Sequence, residues 1–265
     1  MQLDPVGFFD SGWGGLSTLI AARAALPAEN FCYVADCGNA PYGDQTHEFI
    51  VDRAFGIARF LFTQQKVKAL VIACNTATAE AVDCLREHYP DKIILGVEPA
   101  IKPAIEASKN KIVGMISTNK TAHSNRYHLL LERFASQATV FSQGCPGLME
   151  CVERGEFTAD STRTLLHQYL DPMLKAGIDS LVLGCTHYPF LSQMIAEIVG
   201  PNVTLYDSSP AVARHLEHRL KENGRLNRST VQGQTIFFVS DLNQERQNVA
   251  RRLWKAAMRF ENLPV

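Results

Sequence analysis

Two nine-residue segments constrain the fold of this chain more than any other feature. Lys68-Ala69-Leu70-Val71-Ile72-Ala73-Cys74-Asn75-Thr76 lines up with Asp179-Ser180-Leu181-Val182-Leu183-Gly184-Cys185-Thr186-His187, an offset of 111 residues. In each, an apolar run ends in a small residue, a cysteine and a polar pair. Such a run has the length and composition of a strand buried on both faces of a parallel sheet. Ligands of open α/β sheets bind beyond the carboxyl ends of the strands, where both cysteines fall. The expectation is one active site built from two half-sites, with a thiol on each side of a substrate.

The likeness extends beyond the cysteines. Val6-Gly7-Phe8-Phe9-Asp10-Ser11 resembles Val113-Gly114-Met115-Ile116-Ser117-Thr118 at an offset of 107, and Glu98-Pro99-Ala100-Ile101 resembles Ser209-Pro210-Ala211-Val212 at 111. Three matches in one order at nearly constant spacing predict an internal duplication. Strands are expected at 6–9, 31–35, 70–73, 93–96, 112–116, 139–142, 181–184, 203–206 and 235–239. Helices are expected at 16–25, 77–88 and 124–134, from 148, 160 and 210, and over 244–258. One more carries Phe49, Ile50, Ala54, Phe55, Ala58, Leu61 and Phe62 on one face. Alternating βα units imply parallel sheets with right-handed crossovers. The fold class is therefore α/β: two similar α/β/α domains with parallel-rich sheets, related by a pseudo-two-fold axis, with the active site in the cleft between them. The first domain is expected to be discontinuous (1–96 plus 210–265), because the last elements have no counterpart in the second (97–209).

Composition removes several function classes. No apolar stretch approaches the roughly 20 residues of a membrane span, and Met1 leads almost directly into a strand without an export signal. A net charge of −1 gives no general attraction for nucleic acid. The region 214–261 has ten Lys/Arg against five Asp/Glu and reads as a solvated helical face. Seven cysteines, none in a C-x-x-C pair, read as reduced thiols of a cytoplasmic protein. Cys32, Cys84 and Cys151 read as small buried hydrophobes. No metal-ligand spacing is present, since Cys185 and His187 alone fall short of a site.

The remaining motifs suggest chemistry. Gly12-x-Gly14-Gly15, between a strand and a helix, offers backbone N–H groups to an anion, a small carboxylate rather than a nucleotide; it equally suits a turn kept small for packing. Cys74 and Cys185 each precede a hydrogen-bonding pair, and a helix start just beyond would lower the thiol pKa. Two thiols on opposite faces of one carbon suit removal of a proton on one side and its return on the other. Fixed dipoles in a closed pocket must then stabilise the carbanion-like state. Asp10 and His187 are the candidate proton partners, although Asp10 also suits a turn. Ser11, Asn75, Thr76 and Thr186 suit an ammonium and two carboxylates, or helix caps.

At these residues the chain resembles the glutamate racemase family. The matching motifs are Phe9-Asp10-Ser11-Gly12-x-Gly14-Gly15-Leu16, Pro41-Tyr42-Gly43, Ala73-Cys74-Asn75-Thr76-Ala77 and Leu183-Gly184-Cys185-Thr186-His187-Tyr188-Pro189-Phe190-Leu191. The resemblance implies cofactor-independent interconversion of L- and D-glutamate for peptidoglycan, with Cys74 and Cys185 as acid/base thiols. It makes Asp10 the helper of Cys74 and His187 that of Cys185, with Glu153 supporting His187. Asp10, Ser11, Tyr42, Gly43, Asn75, Thr76, Thr118, Thr121, Thr186 and His187 would line the substrate pocket, and a homodimer is expected. Ser117 stands where the family usually has Gly, and the segment 147–151 also departs. A long N-terminal extension is absent, so no activator dependence resting on one is expected. Related aspartate racemases and decarboxylases fit the motifs less well. A non-catalytic amino-acid-binding module leaves the paired thiols without a purpose.

Overall fold

A computed structural model describes residues 2–265; Met1, the first residue of the expected first domain, lies outside the described residues. Two sheets organise the chain. The larger is built from β1 (Val6–Asp10), β2 (Phe31–Ala35), β3 (Ala69–Ile72), β4 (Ile93–Gly96), β9 (Thr235–Val239) and β10 (Arg259–Asn262). The smaller holds β5 (Ile112–Ser117), β6 (Thr139–Gly144), β7 (Ser180–Leu183) and β8 (Thr204–Asp207). Their orders are β10-β9-β2-β1-β3-β4 and β6-β5-β7-β8, and every pairing is parallel. The winding β2-β1-β3-β4 recurs as β6-β5-β7-β8, so the sequence duplication reappears in space. The central strands β1, β3 and β7 are fully buried, as their continuous apolar composition requires.

The helices are α1 (Leu16–Ala25), α2 (His47–Thr63), α3 (Asn75–His88), α4 (Ile101–Ala107), α5 (Asn119–Ala122), α6 (Asn125–Glu132), α7 (Leu148–Glu153), α8 (Asp160–Lys175), α9 (Ser192–Val199), α10 (Ser209–Glu222) and α11 (Gln244–Trp254). Helix α10 follows the last strand of the smaller sheet yet packs on α1 of the larger. The largest buried cluster runs from Phe8, Trp13 and Tyr33 to Val152, Leu183 and Tyr188, so the two sheets share a core. Burying side chains of this size contributes about 1.5–3 kcal/mol each.

Three expectations are corrected. The final helix stops at Trp254 rather than 258: Lys255 adopts φ +57°, and the chain turns into β10 beside β9. The run Lys255-Ala256-Ala257-Met258 has good helix formers, but a strand position on an open sheet edge overrides them. Helix α3 begins at Asn75, immediately after Cys74, two residues earlier than the apolar pattern suggested. Cys84 is exposed on α3 rather than buried. Part of the basic C-terminal region pairs with its own acids, as in Arg246–Asp241, Lys221–Glu217 and Arg259–Glu261. Among the described residues, no helix is long and apolar enough to cross a membrane.

Candidate active site

Strand ends of both sheets converge on one buried polar cluster. Cys74 follows β3 and Cys185 follows β7, at 5% and 6% exposure. Around them Asp10, Ser11, Asn75, Thr76, Thr121, Thr186 and His187 are all buried. The two thiols lie close enough that charge on Cys185 raises the pKa of Cys74.

The Cys74 side is a directed chain. Its Sγ lies 3.9 Å from Ser11 Oγ, which donates to Asp10 Oδ1 at 3.1 Å. The other carboxylate oxygen of Asp10 accepts from Thr186 Oγ1 at 2.7 Å, tying the first strand end to the second cysteine's turn. Asp10 therefore reaches Cys74 through Ser11 rather than by direct contact. Burial raises the Asp10 pKa above its ordinary value, against the lowering influence of His187 and the bond from Thr186.

Cys74 is also the N-cap of α3, and its sulfur accepts from the Ala77 N–H at 3.4 Å. The expected lowering of its pKa by the helix start does not prevail. Burial, then the negative charge of Asp10, pushes the thiol up to about 12, while the Ala77 amide only partly opposes them. Desolvation of a thiolate outweighs one amide dipole here.

The Cys185 side runs through a ring. His187 Nδ1 lies 3.6 Å from Cys185 Sγ, and His187 Nε2 lies 2.7 Å from Glu153 Oε1. Burial alone would lower the His187 pKa, but its bonds to Cys185 and Glu153 prevail and hold it well above the ordinary value. Glu153, at the end of α7, also accepts from the Trp13 N–H at 2.6 Å.

The glycine turn serves this network. Two of its amides go to the protein's own carboxylates, Gly12 N–H to Asp10 Oδ1 at 3.0 Å and Trp13 N–H to Glu153. A Cβ on Gly14 would run into the His187 ring, and one on Gly12 into the Glu153 carboxylate. Close approach to His187 and Glu153 is what Gly14 and Gly12 provide.

Three hydroxyls bridge the sheets. Thr76 Oγ1 lies 3.0 Å from Thr118 Oγ1 and 3.2 Å from Thr121 Oγ1, and Thr118 Oγ1 donates to Thr121 Oγ1 at 3.0 Å. Asn75 Nδ2 donates to the Val97 carbonyl at 3.2 Å. Gly43 faces Thr118, where an added Cβ would sit 3.4 Å from Thr118 Cβ. The Tyr42 side chain is buried in the same cluster as Cys74, its hydroxyl donating to Asp36 Oδ2 at 2.6 Å. Ser117 keeps its backbone role, its carbonyl accepting from Tyr188 Oη at 3.2 Å.

Sequence reasoning missed Asp36 and Trp13. Asp36 is fully buried, with Arg53 Nε and Nη2 at 2.9 and 2.8 Å and Asn39 Nδ2 at 2.9 Å. Its signal was present, a carboxylate just past a predicted strand, as with Asp10. Trp13 acts through its backbone amide, for which residue type carries no signal. Among the described residues no group of three or more His, Cys, Asp or Glu is arranged to hold a metal ion. A cavity of about 50 Å³ reaches Pro41, Gly43, Thr118 and Cys145, room for water but not for an amino acid.

Comparison with known proteins identifies the family. Residues 16–216 match the Asp/Glu/Hydantoin racemase family. The glutamate racemase of Pseudomonas syringae pv. tomato is 48% identical over 238 residues, covering 90% of this chain and 86% of that protein. The crystal structure of glutamate racemase isoform RacE1 from Bacillus anthracis superposes with a TM-score of 0.91 at 31% identity, covering 100% of this chain and 99% of that one. The Francisella tularensis glutamate racemase, solved with D-glutamate, gives 0.87 at 30% identity, covering 99% and 98%. On sequence and fold, the chain belongs to the Asp/Glu/Hydantoin racemase family and, within it, to the glutamate racemases, isomerases that act on an amino acid.

Proposed function

We propose that this protein interconverts L- and D-glutamate by a two-base reaction at Cys74 and Cys185, without a cofactor. One thiolate takes the α-proton: the Cα–H bond breaks, an S–H bond forms, and the electron pair passes toward the α-carboxylate. The opposite thiol then gives its proton to the other face of Cα. Each turnover leaves the two sulfurs with exchanged protonation states, so the reverse reaction uses them in reversed roles.

The observation that carries this reading is the placement of two thiols at equivalent strand ends of two equivalent sheets, each with its own proton partner. On one side the Cys74 proton passes through Ser11 to Asp10, whose raised pKa suits it to accept. On the other, His187 exchanges a proton with Cys185, and Glu153 holds the ring. General acid–base catalysis contributes about 10²–10⁴-fold. The buried, hydrogen-bonded enclosure must supply the rest by stabilising the carbanion-like state. Ser11, Asn75, Thr76, Thr118, Thr121, Thr186 and the backbone at Tyr42–Gly43 hold the ammonium and the two carboxylates. The domain limits are 1–96 plus 210–265 and 97–209. The protein works as a cytoplasmic homodimer and supplies D-glutamate for peptidoglycan.

Incubation with pure L-glutamate in deuterated buffer, without pyridoxal phosphate or metal, tests this. Loss of optical rotation with deuterium at Cα is expected. Retained rotation with no exchange would remove the proposal.

A further inference from the structure

Glu153 is held from two directions, by His187 Nε2 and by the Trp13 N–H. Two routes lead from Glu153 to the C-terminal pair α11–β10, which the smaller sheet lacks: one through Trp13, the other through the turn after Glu153. On one route Phe260 of β10 meets the Trp13 ring edge-on, centroids 6.1 Å apart, while Tyr33 stacks on Trp13 at 6.4 Å. On the other, α11 presses on the turn that ends α7. Gly155 in that turn is buried with φ +74°, and a Cβ there would sit 2.5 Å from Arg252 Nη1 and 3.4 Å from Val249 Cγ2. The Arg252 guanidinium lies 4.7 Å from the centre of the Phe157 ring. Helix α7 has only six residues, too few to hold its terminal side chain unaided.

We propose that the α11–β10 unit sets the position of Glu153, and through it the orientation of His187, with Arg252 as the positioning residue on the turn 154–157. This rests on the reading of His187 as the proton partner of Cys185. The contact between Arg252 and Phe157 is a cation over an aromatic face, which fixes the turn without a directional hydrogen bond. Displacing the turn moves the Glu153 carboxylate away from His187 Nε2 and releases the ring. Small misplacements of this kind reduce turnover more than they reduce folding.

The test compares R252A, R252K, E153Q and the double variant R252A/E153Q in glutamate racemisation, with thermal unfolding as a control and NMR titration of the His187 ring. R252A is expected to lower kcat about tenfold with little change in KM, and R252K to recover most of it. Added to E153Q, R252A should cost nothing further, because both act through one group. The His187 ring should titrate at lower pH in R252A than in the parent. Losses that multiply in the double variant, or an unchanged His187 titration, would overturn the proposal. If R252A fails to fold, F157L removes the same contact and the same outcomes apply. A parent protein that does not racemise glutamate would overturn the functional reading, while the His187 titration would still decide this one.

Discussion

At the scale of single residues, the cluster around the thiols is wired through intermediates, Ser11 between Cys74 and Asp10 and His187 between Cys185 and Glu153. The two cysteines were legible because each ends a buried apolar run, and their burial agrees. The pKa of Cys74 was not legible, because desolvation depends on what closes over the thiol from the other sheet. Asp10 is similar, identified from its strand end yet joined to Cys74 only through Ser11. Its raised pKa gives a signed prediction. A carboxyl whose folded-state pKa exceeds its unfolded value contributes fully below the unfolded value, and that contribution is lost as pH rises through the folded one. Asp10→Asn removes this loss. Urea midpoints should therefore show the variant gaining on the parent as pH rises above about 4, while racemisation falls. A difference independent of pH would mean that Asp10 does not titrate as its burial implies.

At the scale of elements, periodicity located most strands and helices, and the errors lie where tertiary context decides. Helix α3 starts at Asn75 because Cys74 caps it through the Ala77 amide, a role that hydrophobic spacing does not encode. Strand β10 escaped notice because Arg259–Asn262 is short and mostly polar, and it exists only by pairing with β9. The capping role separates catalysis from folding at Cys74. Serine is among the preferred N-cap residues, so Cys74→Ser should leave stability unchanged or raise it by up to about 1 kcal/mol in thermal unfolding. The same variant should lose about 10²–10⁴-fold in racemisation, the share ascribed to acid–base catalysis. A variant that lost activity only in proportion to lost stability would place Cys74 in the scaffold instead.

At the scale of the molecule, the two sheets close over the thiols and must part to admit a substrate. Bonds that cross between them include Thr186 to Asp10, Trp13 to Glu153 and the Thr76–Thr118–Thr121 cluster. On the outer surface Arg126 of α6 reaches Asp83 of α3 at 2.8 Å and Glu98 at 2.6 Å, a latch at the margin of the cleft. Of the two, Arg126–Asp83 joins the two domains; partly exposed, it contributes about 0.2–1 kcal/mol, enough to shift an opening equilibrium but not to threaten the fold. Cysteine labelling reads this directly, since Cys84 is exposed and serves as an internal reference for the buried Cys74 and Cys185. In the parent protein Cys84 should be alkylated first, and the two site cysteines slowly. Arg126→Ala should speed labelling of Cys74 and Cys185 by up to about fivefold while leaving Cys84 unchanged. Glutamate should slow labelling of both site cysteines by holding the cleft shut. Peptide mapping by mass spectrometry distinguishes the three sites. Labelling of Cys74 and Cys185 as fast as Cys84 in the parent would mean that the closed arrangement is not the resting state in solution, and that Arg126 latches nothing.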